Sequence, residues 1–556
     1  MWRRGSIRGI SQYLTIHSTN ARSPINFQVN LLKVPSNFGY YTSRVNRLYN
    51  EDRWQVAVLD LDPGSLRPQM RKVIDEPKGK GNGGNEPLVK EIQRETEPTY
   101  TATSPPIDRA VFAFGVFDGH GGDECSTYLR NHLFENVEKL NLSEQGLISM
   151  MQFYNTKISG YWKRWSRKIG DVIIKSCKID GKVKEYVRMV NVQHLGLTGA
   201  ASENVPGSFT YEIDRDDDMV RNLDEDDDYD HLSRNENLNL IDWDDVINGK
   251  KFWEVISMMI EDGELSHWEI FKLRVWASYL FTDIQFLSFE NERNEKFKST
   301  TKLKDPQDIN QRLIRSGSTC TSAFIYPLKW KNNDNNHYFY MDDVVSRLLI
   351  AHVGDTRAII CDKNGLAHSL TKDHHPSNPI EASRLRKLSA GLIMTDSFGE
   401  ERFLNFANTR SFGDVIAKNV GISAEPEFSD FIIGNRSMIE EYKRENAEEL
   451  KYNDVKELQG DECFIVIVSD GVTNYLTDQE MVDLVMNNFN NRGSNKGNPS
   501  NGAAEVVQFV EMVNGDDNAT CLVVRLAGWG KWPIQDRTGK LREERMMDVG
   551  KRSNLR

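Results

Sequence analysis

Cysteine is scarce in this chain of 556 residues, and the six present, at 125, 177, 320, 361, 463 and 521, include no C-x-x-C pair. A disulfide framework is therefore not expected. Several of these cysteines lie in apolar, strand-like runs and read as reduced, buried thiols. No apolar run approaches the ~18 residues a membrane span requires, so no span is expected. The phosphate-loop pattern G-x-x-x-x-G-K-[ST] is also missing, which removes one common nucleotide site. Acidic residues are absent altogether from the first fifty positions.

The overall composition is 38% hydrophobic and 27% charged. These are globular values, compatible with one large domain carrying insertions or with two or three ordinary ones. The net charge of −12 argues against general nucleic-acid affinity, and it is a local feature. Residues 211–230 hold eleven Asp and Glu against two Arg, which leaves about −3 for everything else.

The acid-free start carries Arg3, Arg4, Arg8 and Arg22 among many hydroxyl residues. That is the composition of a mitochondrial transit peptide, and Trp2, Ile7, Ile10, Tyr13 and Leu14 roughly follow helical spacing. Residues 1–38 are therefore expected to be a transit segment, with the protein in the mitochondrial matrix or intermembrane space. Structure is expected from about residue 40, with a strand over Trp54–Leu59 and a mobile loop over 76–106. Residues 145–310 form an enlarged insertion within a domain spanning 40–527. Inside it, Tyr186–Val192 reads as a strand, 200–246 as acidic and disordered, and Phe252–Phe289 as two helices broken near Gly263. Short β-branched runs follow at Thr319–Tyr326, Leu348–Val353, Ala358–Cys361, Cys463–Val468 and Cys521–Leu526. Helical patterns fall at about 379–390, 478–490 and 502–514, and residues 528–556 form a C-terminal tail. Strands outnumber helices, which points to packed sheets with flanking helices, not a doubly wound fold.

The stretch organising the chain is Val111-Phe112-Ala113-Phe114-Gly115-Val116-Phe117 followed by Asp118-Gly119-His120-Gly121-Gly122. It reads as a buried central strand ending in a sharp glycine turn that begins at Asp118, with an amphipathic helix after it. A carboxylate at such a position must be compensated. The arrangement recurs at Leu348 to Asp355 and Phe464 to Asp470, Asp516-Asp517-Asn518 precedes another strand, and Glu51-Asp52 precedes the first. Repulsion forbids so many clustered carboxylates unless cations sit among them. Oxygen donors without His or Cys pairs select Mg²⁺ or Mn²⁺ over zinc, and two such ions can ready a water for in-line attack on phosphorus.

These residues resemble the metal-dependent protein phosphatases of type 2C. The matching motifs are Arg47-x-x-x-Glu51-Asp52, Val116 to Gly122, Ser316-Gly317-Ser318-Thr319 and Val353-Gly354-Asp355-Thr356-Arg357. They continue with Leu370-Thr371-Lys372-Asp373-His374, Thr409-Arg410-Ser411-Phe412-Gly413-Asp414, Ser469-Asp470-Gly471 and Asp517-Asn518. The acid-free start and Gly528-Trp529-Gly530-Lys531-Trp532 are most similar to fungal mitochondrial members. The resemblance implies an α+β fold, a four-layer α-β-β-α sandwich with the metals at one edge of the sheets. It implies that Asp118 bridges two ions and that the Gly119 carbonyl meets one of them. Asp470 and Asp517 would hold the first ion and Glu51 the second, with Asp52 in the outer shell and Asp355 on a third, weaker ion. Arg47 would bind phosphate and His120 would protonate the leaving serine or threonine oxygen, while His374 and His375 would be structural.

Two departures stand out. Asn474 replaces an aspartate that often holds the third ion, and Ser397–Asn405 lacks the family's usual flap sequence. The expected substrates are phosphorylated proteins, with mitochondrial matrix enzymes such as pyruvate dehydrogenase plausible from the relatives alone. The rival expectation is a catalytically impaired relative that binds phosphoproteins as a regulator.

Overall fold

The structure, a computed structural model, describes residues 13–18, 25–30, 37–63, 110–140, 267–287, 315–331, 338–388, 393–395, 401–403, 406–418, 421–447, 450 and 455–553. The expected loop over 76–106, the strand over Tyr186–Val192, the acidic run over 200–246 and the helix before Gly263 lie outside these residues.

In chain order the strands are β1 (Tyr13–Ser18), β2 (Ile25–Asn30), β3 (Phe38–Ser43), β4 (Arg53–Asp60), β5 (Ala110–His120), β6 (Gly317–Trp330), β7 (Val344–Val353), β8 (Arg357–Cys361) and β9 (Ala367–Ser369). They continue with β10 (Ile393–Thr395), β11 (Glu401–Phe403), β12 (Phe412–Gly413), β13 (Glu427–Gly434), β14 (Val455–Lys456), β15 (Phe464–Val468) and β16 (Ala519–Arg525). The helices are α1 (Glu124–Lys139), α2 (His267–Leu287), α3 (Pro379–Leu388), α4 (Val415–Lys418), α5 (Arg436–Glu445), α6 (Asp470–Thr473), α7 (Asp478–Lys496), α8 (Pro499–Met512) and α9 (Gly539–Ser553).

Two sheets carry the fold. One runs β14-β13-β7-β6-β5-β4, with β12 added to β6, and the other runs β3-β16-β15-β8-β9. Alternation along the strands explains the layering. On β4, Val56 and Val58 face the space between the sheets, whereas Ala57 and Leu59 face α1 and α2. On β15, Ile465 and Ile467 meet that same inter-sheet core, while Phe464, Val466 and Val468 pack under α7 and α8. Strands buried on both faces read as continuous apolar runs because every position is core. The result is the four-layer α-β-β-α sandwich that the resemblance implied.

β5 is an interior strand, between β6 and the edge strand β4, rather than the centre of its sheet. It runs further than the sequence suggests. Pairing with β6 continues through Asp118↔Thr319 and Gly119↔Ser318 to His120↔Gly317, so the turn begins at Gly121, not at Asp118. Gly121 and Gly122 have φ of +69° and +131°, the region that favours glycine. Tyr13 and Leu14, at helical spacing in the sequence, lie instead in β1, which pairs antiparallel with β2. Residues 529–532 are not loose. Trp532 is buried, and its ring and that of Trp529 pack edge-on against Phe464 and Phe489.

Candidate active site

The carboxylates singled out in the sequence come from five chain segments that the two sheets bring to one edge. Asp118 ends β5, Glu51 and Asp52 precede β4, and Asp355 lies between β7 and β8. Asp470 opens α6 directly after β15, and Asp517 precedes β16. The Asp470 N–H donates to Asp118 Oδ2 at 3.1 Å, which joins the two sheets at this point. Asp52 Oδ2 accepts from Thr520 Oγ1 at 2.7 Å, and Asn408 Nδ2 donates to Asp355 Oδ2 at 2.9 Å. Gly119 is required by crowding, since a Cβ there would lie 2.4 Å from the Glu51 carbonyl oxygen.

Burial and mutual repulsion hold these acids well away from ordinary carboxylates. Burial raises Asp118 well above its usual range, and Asp470, Asp52 and Asp355 push it further. Asp470 rises to about 8 from burial and then from Asp355. Asp52 rises to about 6, chiefly from burial. Burial also raises Asp355 and Glu51.

Among the described residues no three acidic, His or Cys side chains converge as a formed cation site. The donor set nevertheless fits a hard divalent ion. It offers only oxygen, and the buried Asp52 Oδ1 has no hydrogen-bond partner. The acids resist joint ionisation, so a positive charge among them is the natural compensation.

Arg47 lies beside this cluster and is half-exposed. Its NH2 donates to Asp517 Oδ2 at 2.8 Å and its Nε to the Asp516 carbonyl at 3.1 Å. His120 stands on the opposite side of Asp118 in sequence, with Nε2 at 3.0 and 3.1 Å from the two oxygens of Asp414. Desolvation works against a charged ring, but Asp414, followed by Asp355 and Glu51, outweighs it and lifts His120 to about 9. His374 is structural, as expected. It accepts the Gly354 N–H on Nδ1 at 3.0 Å and meets Glu427 through Nε2 at 3.0 Å. His375 bonds only locally, to Ser377. Asn474 is exposed, ends α6, and lines a groove with Arg357 and Arg545.

Three partners of the candidate site escaped sequence reasoning, although two of them, Asp414 and Asn518, lay inside quoted motifs. Asp414 holds the His120 ring. Asn518 clamps the Arg47–Glu51 loop, accepting the Glu51 N–H at 2.8 Å and donating to the carbonyls of Tyr49 and Arg44. Glu381, on α3, accepts from Arg384, Arg410 and Thr409 and so fixes the strand that leads to Asp414. Burial alone would keep Glu381 neutral, but Arg410 and Arg384 hold it far below the ordinary carboxylate range. Glu381→Ala takes the shared carboxylate away from two mostly buried guanidinium groups and is expected to cost about 3–5 kcal/mol. Chemical denaturation measures this, and a loss below ~1 kcal/mol would show the network to be dispensable.

Residues 265–439 and 451–518 match the family model of protein phosphatase 2C. Together these stretches make up less than half of the chain. Asp355, Asp470 and Asp517 fall inside the matched stretches, whereas Arg47, Glu51, Asp52, Asp118, Gly119 and His120 precede them. The match begins at 265, so α2 lies inside the matched stretch. The chain is 36% identical over 216 residues to protein phosphatase 2C homolog 4 of Schizosaccharomyces pombe, covering 38% of this chain and 47% of the relative. It is 31% identical over 186 residues to the mitochondrial protein phosphatase 1K of Xenopus laevis, covering 33% and 40% respectively. The matched region thus spans less than half the length of either relative. A solved serine-threonine phosphatase 2C from Toxoplasma gondii aligns over 92% of this chain and 99% of its own, at 14% identity and a TM-score of 0.38.

Proposed function

We propose that the protein is an active serine/threonine phosphatase that hydrolyses phosphoserine and phosphothreonine in proteins. The observation carrying this reading is the half-buried cluster of Glu51, Asp52, Asp118, Asp355, Asp470 and Asp517 beside an arginine and an Asp-held histidine. Asp118, Asp470 and Asp517 would hold one Mg²⁺ or Mn²⁺, and Asp118, the Gly119 carbonyl and Glu51 a second, with Asp52 behind them. Bound there, the ions supply an activated water for in-line attack on phosphorus. Arg47, already turned toward Asp517, offers a permanently charged fork to the phosphoryl oxygens. His120 uses Nε2 to meet Asp414, which leaves Nδ1 to pass a proton to the departing oxygen. Retention of every proposed ligand separates this reading from that of a catalytically dead regulator. Mg²⁺- or Mn²⁺-dependent phosphate release from p-nitrophenyl phosphate tests it directly, and background rates in both metals would favour the regulator.

We place the protein in mitochondria on the arginine-rich, acid-free start together with the mitochondrial relative. The first ~30 residues are expected to be removed on import. N-terminal sequencing of protein recovered from cells decides this, and an intact Met1 on organelle-free protein refutes it. Matrix phosphoenzymes such as pyruvate dehydrogenase are the proposed substrate class.

A third ion on Asp355 and Asp470 would be weakened by the neutral Asn474. Asn474→Asp is expected to lower the activating metal concentration by about a few-fold, since hard ions bind more tightly as carboxylates are added. Superimposable metal titrations of the two proteins on one phosphopeptide would remove position 474 from metal binding.

A further inference from the structure

We propose that Asp283, on α2, is a positioning residue for leaving-group protonation, holding the Ser411–Lys418 turn so that Asp414 keeps His120 in place. The inference rests on the reading of His120 as proton donor.

Asp283 lies two links away from His120. Its Oδ1 accepts the Gly413 N–H at 2.8 Å, and its Oδ2 meets Lys418 Nζ at 2.9 Å. Lys418 donates in turn to the Ser411 carbonyl at 2.7 Å. The Ser411 hydroxyl donates to Asp414 Oδ2, and both oxygens of Asp414 face His120 Nε2. Asp283 and Lys418 are only 2% and 1% exposed, so the pair is anchored inside the protein and away from solvent exchange. One carboxylate thus fixes the backbone immediately before Asp414 and, through Lys418, the residue whose hydroxyl orients it.

The turn needs such a constraint. Gly413 and Asp414 have φ of +69° and +47°, a conformation uncommon for a non-glycine residue and favoured here by contacts that hold the turn. β6 closes the other side, for a Cβ on Gly317 would lie 2.3 Å from His120 Nε2 and 2.6 Å from either Asp414 oxygen. The ring and its carboxylate are therefore held from both directions. Anchoring of α2 does not explain Asp283. That helix is tied to α1 by Arg274, whose Nε and NH2 donate to the carbonyls of Val137 and Glu138, and by Phe271, Val275 and Tyr279 in the core. The Asp283 carboxylate is directed at the 411–418 turn.

The test compares wild type, His120→Ala and the double variant Asp283→Asn/Lys418→Met, in which both charges vanish together and no buried charge is left unpaired. Asp283→Asn alone, which keeps an acceptor for Gly413, is the second variant should the double one fail to fold. Thermal unfolding is followed for each, and kcat and KM are measured at saturating Mn²⁺ on a phosphoserine peptide and on p-nitrophenyl phosphate. The expected result is a kcat loss of about tenfold or more on the phosphopeptide, part of the full general-acid contribution, with KM unchanged and less than about threefold loss on the aryl phosphate. No further loss is expected when the change is added to His120→Ala. Equal losses on both substrates, unchanged rates in a folded variant, or full additivity with His120→Ala would overturn the role of Asp283 while leaving His120 as the donor. If His120→Ala itself fails to separate the two substrates, the donor reading and this inference fall together.

Discussion

Asp118→Asn and Asp470→Asn are each expected to abolish nearly all turnover, by at least about 10²–10³-fold, the scale of losing one preorganised electrostatic group. Each substitution preserves shape. At position 118 an amide oxygen can still accept the Asp470 N–H, so only the charge that would balance a metal is lost. The same charge is costly without metal, because burial and neighbouring acids raise both groups. A raised folded-state pKa means that the unfolded chain ionises more readily, so at neutral pH and without metal the fold must hold protons that the unfolded chain releases, and this penalty fades as pH falls. Both variants are therefore expected to be at least as stable as wild type in chelator, and to gain less stability when Mn²⁺ is added. Thermal unfolding with and without Mn²⁺, beside phosphopeptide assays, checks both halves. Near-normal rates for both variants at saturating Mn²⁺ would end the two-metal assignment.

His120→Ala is expected to lose roughly 10²–10⁴-fold on phosphoserine, the usual contribution of a general acid. The serine alkoxide is a poor leaving group and needs a proton as the bond to phosphorus breaks. A nitrophenolate does not, so the loss on p-nitrophenyl phosphate should be much smaller. Asp414, which meets His120 Nε2 with both oxygens, should matter in the same direction: Asp414→Asn removes the charge that favours the protonated ring. Parallel assays on the two substrates measure this, and equal losses for His120→Ala would contradict the proton-donor role.

The layers and the acid cluster were legible because burial on both faces writes itself into composition. β5, β7, β15 and β16 are apolar at nearly every position, and each acid stands where such a run stops or starts. β13 was missed because Ser429 and Asp430 interrupt its apolar pattern; Asp430 is nevertheless buried, paired with Arg347 and Lys272. α9 was missed because it is mostly polar and exposed. Distant pairing was invisible for a different reason. That Asp414 meets His120, or that Asn518 holds Glu51, depends on strand register across hundreds of residues, and one sequence carries no record of register until the sheets are known.

The clamp between Asn518 and the Glu51 loop joins groups 467 positions apart, and β3 reaches its sheet only by pairing with β16. The arginine and the first acids are thus made well before the groups that complete their surroundings. A nascent chain halted before residue 517 holds Arg47, Glu51 and Asp118 but lacks Asp517, Asn518 and the partner strand of β3. Contacts of such long range form late, because a large loop must close before they return any energy. Hydrolytic capacity should therefore emerge only once Asn518 and β16 have been made.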